Sequence, residues 1–79
     1  MNFEIGKLYR LKVRKTFFCL LTRDLITIKS QSIILYVDDI QFYKDKPRAF
    51  LFEGKVYLDS WNWTKRGEPW EFEEVIVTE

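Results

Sequence analysis

The chain of 79 residues contains no histidine, one cysteine, two prolines and three glycines. Each shortage removes a class of chemistry. Without histidine, Ser-His and Cys-His nucleophilic pairs are excluded, and a zinc ion would have to be held mostly by carboxylates. Cys19 is alone and cannot close an internal disulfide. Its place in the apolar run Phe17-Phe18-Cys19-Leu20-Leu21 reads as a buried, reduced thiol in a reducing compartment. Gly6, Gly54 and Gly67 lie too far apart to form a phosphate-cradling loop. The apolar runs are about five residues long, against the ~20 that a membrane-spanning helix needs. Met1-Asn2-Phe3-Glu4 lacks the basic opening and apolar stretch of a secretion signal. The expectation is a cytoplasmic protein without membrane association, metal, cofactor or enzymatic activity.

Aromatic rings and charge are what the chain does have. Seven phenylalanines, four tyrosines and three tryptophans stand in a sequence that is 47% apolar and 32% charged. Those proportions belong to folded globular proteins. A domain this small buries only somewhat more than ~60% of the surface its unfolded chain exposes. Rings that each cover roughly 150–250 Å² are an effective way to build its core. Residues 1–79 read as one domain, with no repeat, low-complexity run or linker. The net charge is +1, but residues 1–37 hold seven basic against two acidic groups, and residues 38–79 six against ten. Such asymmetry can steer charged partners.

Alternation along the chain predicts strands. In Lys7–Arg14, Tyr9, Leu11 and Val13 fall on one face, and Arg10, Lys12 and Arg14 on the other. Residues 16–28 fit two conformations: Phe17, Leu21, Leu25 and Ile28 stand near helical spacing, whereas the β-branched residues of Leu25-Ile26-Thr27-Ile28 favour a hairpin-like excursion. After a polar turn at Lys29–Ser32, Ile33–Val37 is apolar on both faces and predicts a covered strand. It is expected to run on through Ile40-Gln41-Phe42-Tyr43 past a bulge at Asp38-Asp39, before a turn at Lys44-Asp45-Lys46-Pro47. Glu53-Gly54 sits between two apolar-aromatic runs and predicts a tight hairpin. Asp59–Pro69 reads as a loop or single helical turn, and Trp70–Val77 as the last strand.

This layout resembles the Src-homology-3-like barrel across most of the chain. The resemblance rests on a first strand, a long excursion, a diverging turn at Ile26–Ser32, the Glu53-Gly54 distal hairpin and a helical turn within Asp59–Pro69. It implies an all-β, five-stranded antiparallel barrel. The family's peptide-binding members carry an alanine-leucine-tyrosine-aspartate-tyrosine run, an acidic first loop and a tryptophan opening the third strand. Here Tyr9 stands without the rest of that run, Asp24 lies among Lys15, Arg23 and Lys29, and Ala49-Phe50 occupies the tryptophan position. The resemblance therefore implies a fold and not a proline-rich ligand.

Two clusters are candidates for function. Trp61, Trp63 and Trp70, with Lys65 and Arg66, suit a partner-binding surface, because Trp and Arg combine large rigid area with a polar tip. Trp61 and Trp63 would share one face if that segment were extended; the competing expectation is that some of these indoles cap the core. Arg10, Lys12 and Arg14, with Lys15, form a basic stripe that could track single-stranded nucleic acid beside aromatic platforms. The competing expectation is a solvated face paired with Glu71 and Glu73. Asp38 and Asp39 would point to opposite faces of a regular strand and could share a metal only if the chain bulges there. The reading favoured by the sequence is a non-enzymatic protein-binding module, monomeric or homodimeric, in the style of phage or mobile-element proteins that bind and inhibit a host enzyme or defence protein. Single-stranded nucleic-acid binding is the alternative. Self-association through strand edges or the aromatic loop is the third.

Overall fold

The computed structural model describes residues 3–41 and 46–76. Seven antiparallel strands form one sheet: β1 (Leu8–Leu11), β2 (Lys15–Cys19), β3 (Leu25–Ile28), β4 (Ile33–Asp39), β5 (Arg48–Phe52), β6 (Lys55–Leu58) and β7 (Phe72–Val75). Their order across the sheet is β3-β2-β6-β5-β4-β1-β7, and the sheet curls into a half-barrel. A 3-10 turn, Pro69–Glu71, precedes β7. Among the described residues the strands number seven and not the five expected, because the excursion after β1 is itself a two-stranded ribbon.

That ribbon settles the ambiguity over residues 16–28. β2 and β3 pair from Lys15↔Ile28 to Phe18↔Leu25. The Thr16 and Thr27 hydroxyls share a hydrogen bond of 3.0 Å. Of the side chains that match helical spacing, three lie on the ribbon's strands and Leu21 in the turn that joins them. Phe17 and Ile28 join the inner core, while Leu21 and Leu25 are exposed.

The first strand is shorter than its alternation suggests. It ends at Leu11, and the chain bends at Lys12-Val13. The Lys12 N–H donates to the Glu71 carbonyl at 2.8 Å, after which the backbone turns away into β2. Arg10 and Lys15 consequently occupy different strands.

A register shift separates Tyr36↔Phe50 from Asp38↔Ala49, which makes Val37 the extra residue of a bulge in β4. Residues i and i+3 of a regular strand face opposite ways. The bulge reverses that relation, so the Tyr36 hydroxyl donates to Oδ1 of Asp39. Strand β4 stops at Asp39, and the Ile40 N–H then donates to the Pro47 carbonyl at 2.8 Å. The expected continuation through Phe42-Tyr43, the turn residues Lys44-Asp45 and the Val77 end of the last strand lie outside the described residues. Trp70 belongs to the 3-10 turn, so β7 opens at Phe72. At the β5–β6 hairpin, Phe52 pairs with Lys55 across Glu53 (φ 51°) and Gly54 (φ 77°). Two successive left-handed residues make this the tight turn whose twist matches its strands.

Alternation sorts the side chains into two apolar groups. The concave face holds Tyr9, Leu11, Phe17, Cys19, Ile28, Ile34, Tyr36, Phe50, Tyr57 and Phe72, with Phe3 and Phe52 packed against them. Phe3 lies against Tyr9 at 4.9 Å and edge-on to Phe72 at 5.0 Å between centroids. A smaller group, Phe18, Ala49 and Leu58, lies on the other side with Val37, Ile40, Val56 and Trp61.

Candidate interaction surface

The loop between β6 and β7 carries the tryptophans, and a buried charge pair fixes it in place. Asp59 follows β6 and is fully buried; Arg48 opens β5 and is 7% exposed. The Arg48 guanidinium donates to Asp59 Oδ2 at 2.9 Å and to the Gly67 carbonyl at 3.1 Å. The Gly67 N–H donates to Asp59 Oδ1 at 3.1 Å. Lys15 lies 3.7 Å from both Asp59 and Glu71, and its ammonium donates to the Lys65 carbonyl at 2.8 Å. The guanidinium also stacks on Phe3, 4.0 Å from the ring centroid. Burial pushes the Asp59 carboxyl up, opposed chiefly by Arg48 and Lys15. Burial also pulls Arg48 below the usual guanidinium value, against the Asp59 charge. Each ion loses solvation that its partner repays in part, the expected balance for a buried pair.

Gly67 is required by closeness. A Cβ there would lie 2.6 Å from the Phe72 ring, 2.9 Å from Asp59 Oδ1 and 2.9 Å from Lys15 Cε. No side chain fits between the loop and this cluster.

The three tryptophans have separate environments. Trp61 stacks on Phe18, with centroids 4.8 Å apart and planes 14° apart, and covers the smaller apolar group. Trp63 is 77% exposed and Trp70 63% exposed. Residues 61–64 form a turn and not an extended segment: the Trp61 N–H donates to Thr64 Oγ1 at 2.8 Å, and the Thr64 N–H to the Trp61 carbonyl at 3.0 Å. Trp61 and Trp63 therefore do not present a common face; one indole packs inward and two face solvent. Lys65 and Arg66 are exposed beside them.

The basic stripe is dispersed in the same way. Arg10 faces its cross-strand neighbour Glu73, 3.8 Å away. Lys15 is turned inward, with its side chain 10% exposed. Lys12 and Arg14 are exposed in the bend between β1 and β2. That bend is fastened to the tryptophan loop through Lys12–Glu71 and Lys15–Lys65. The two segments that are separate in sequence thus touch at these two points, with Lys12 and Arg14 on one and Trp63, Lys65, Arg66 and Trp70 on the other. Among the described residues, none of these four cations enters an ion pair.

Other reactive groups are engaged in the fold. Asp39 accepts from Tyr36, and Asp38 Oδ1 accepts from the Asp39 N–H at 2.8 Å. Among the described residues no three His, Cys, Asp or Glu side chains gather as a metal-binding group. Cys19 is buried at the end of β2. Burial raises its thiol pKa, but hydrogen bonds from Thr22 and Leu21 outweigh that and bring it below the ordinary value. Among the described residues no helix is long and apolar enough to cross a membrane.

Fold and site together define an antiparallel all-β half-barrel bearing an anchored aromatic and basic rim. No protein-family model, curated protein or solved structure matches the chain.

Proposed function

We propose that the protein is a small non-enzymatic binding module that captures another protein through the rim formed by Trp63, Trp70, Lys65 and Arg66. The observation that carries this reading is that a loop bearing two solvent-facing indoles is tied to the fold by the buried Arg48–Asp59 pair through Gly67. An exposed tryptophan on a mobile loop would lose conformational freedom on binding. One held by Arg48, Asp59 and Gly67 has less to lose, so more of its contact energy reaches the complex. Indoles of this kind are typical interface anchors. The chemistry fits a partner with an apolar pocket rimmed by acidic groups, which would meet Lys65 and Arg66, with Lys12 and Arg14 alongside. Trp61 has a supporting role, since it is stacked on Phe18. Occlusion of a host enzyme or defence protein by a mobile-element product is the biological setting we propose for such a module.

A Src-homology-3-like relationship is part of this reading. It is supported by the β4-β5-β6 meander, by β1 lying between β4 and β7, by the β2–β3 ribbon after the first strand, and by the 3-10 turn before the last.

The test is the double variant Trp63→Ala/Trp70→Ala. Both side chains are exposed, so thermal stability should change little, while partner capture from a host lysate should fall by at least about tenfold, as for interface anchors. Unchanged capture would remove the rim from consideration. Trp61→Ala should instead lower the melting temperature.

Single-stranded nucleic acid is a second reading, favoured by the junction of Lys12 and Arg14 with the exposed indoles. It predicts binding of short oligonucleotides that weakens steeply with salt, because cations on phosphates displace condensed counterions. Fluorescence anisotropy at low salt decides it, and no binding there eliminates it.

A further inference from the structure

The two edges of the sheet differ. Strand β7 carries Glu73 and Glu74, with Glu73 facing Arg10 and Glu74 held 3.2 Å from Lys7. Charges of this kind keep an edge from pairing with another strand. At the other edge, β3 reads Leu25-Ile26-Thr27-Ile28 and has no charge, proline or bulge; its first three residues are exposed. Its hydrogen-bonding phase can be assigned. The Cys19 N–H donates to the Asp24 carbonyl at 2.8 Å. Continued alternation points the backbone groups of Ile26 and Ile28 at β2 and those of Leu25 and Thr27 outward. Strand β2 is the only neighbour of β3 among the described strands.

We infer that β3 is a homodimerisation edge, pairing antiparallel with β3 of a second copy about a two-fold axis at Thr27. Only outward-pointing residues can exchange ladder bonds; the axis at Thr27 sets Thr27 opposite Thr27 and Leu25 opposite Lys29 of the other copy, whose carbonyl already accepts from the Ser32 N–H at 3.4 Å. The charges favour this orientation. Asp24 precedes the strand and Lys29 follows it, so antiparallel pairing brings the acidic start of each strand beside the basic end of the other. Parallel pairing would place like charges together. The same patch meets itself, which closes the assembly at two copies. The apolar side chains of Leu25 and Ile26, 45% and 37% exposed, would be covered in the process.

Sedimentation equilibrium over a concentration series tests this on the full chain. The wild type should associate to a dimer. Thr27→Pro removes an outward N–H and leaves the backbone ladder to β2, losing only the hydroxyl contact to Thr16 on that side, and should weaken the dimer by about tenfold or more. Asp24→Lys should also weaken it, and Asp24→Lys/Lys29→Asp should restore it, since the exchange rebuilds the opposite-charge ends. Circular dichroism verifies folding; should Thr27→Pro unfold, the charge exchange decides alone. A wild type that stays monomeric throughout, or a dimer left intact by either folded single variant, overturns the inference.

Discussion

Asp59 shows how a single side chain can link the core to the surface. Its carboxylate accepts from Arg48 and from the Gly67 backbone while fully buried. Replacing Asp59 with alanine leaves the guanidinium buried without a counter-charge, which typically costs about 3–5 kcal/mol. A chain of this size has roughly 0.05–0.15 kcal/mol of stability per residue to lose, so Asp59→Ala should stand close to unfolding in a urea titration. Removing both charges should be far milder. Arg48→Met/Asp59→Leu retains apolar contact with Phe3 and leaves no uncompensated ion, so its urea midpoint should lie well above that of the single variant. It should nonetheless loosen the loop, because the Gly67 N–H loses its acceptor. If the two variants are equally unstable, the pair contributes through packing and hydrogen bonds and not through charge balance.

The elements were legible wherever a local rule decided them. Alternation located β1, and Glu53-Gly54 marked the β5–β6 hairpin because two left-handed residues leave few other conformations. The β2–β3 ribbon is ambiguous in sequence, since Phe17, Leu21, Leu25 and Ile28 satisfy helical spacing while Ile26, Thr27 and Ile28 favour extension, and the cross-strand pairing from Lys15↔Ile28 to Phe18↔Leu25 decides it. The bulge was expected at Asp38-Asp39 and falls at Val37; its consequence, the Tyr36–Asp39 hydrogen bond, depends on the register with β5. The candidate site was half legible. Composition identified the tryptophan loop, but a turn closed by Thr64 separates Trp61 from Trp63. The anchor was missed because an aspartate in a polar loop reads as solvated. Two of its partners, Arg48 and Lys15, come from other segments, and the third, Gly67, from the far end of the same loop. The bend at Lys12-Val13 had no local signal either, and it is what detaches Lys15 from the basic stripe and turns it inward.

At the scale of the whole molecule, the aromatic core makes stability depend on pH from the alkaline side. Burial, followed by the hydrogen bond to Asp39, raises the Tyr36 phenol above its ordinary value, and burial raises Tyr57. In the unfolded chain both phenols ionise near pH ~10. Below that value the folded and unfolded forms are equally protonated at these two sites, and their contribution to stability is fully present. Above it the unfolded chain releases protons that the folded form retains, so stability falls with rising pH until the raised folded values are passed. Each tyrosine contributes a slope of at most about 1.4 kcal/mol per pH unit. Urea midpoints measured upward from neutral pH should therefore be flat with respect to these groups at first and then decline. Tyr36→Phe should make the decline shallower by one proton's worth, at a cost near neutrality of about 1 kcal/mol for the lost hydrogen bond. An alkaline limb as steep in Tyr36→Phe as in the wild type would mean that Tyr36 ionises as readily folded as unfolded. That would contradict a phenol that donates to Asp39 in the folded chain.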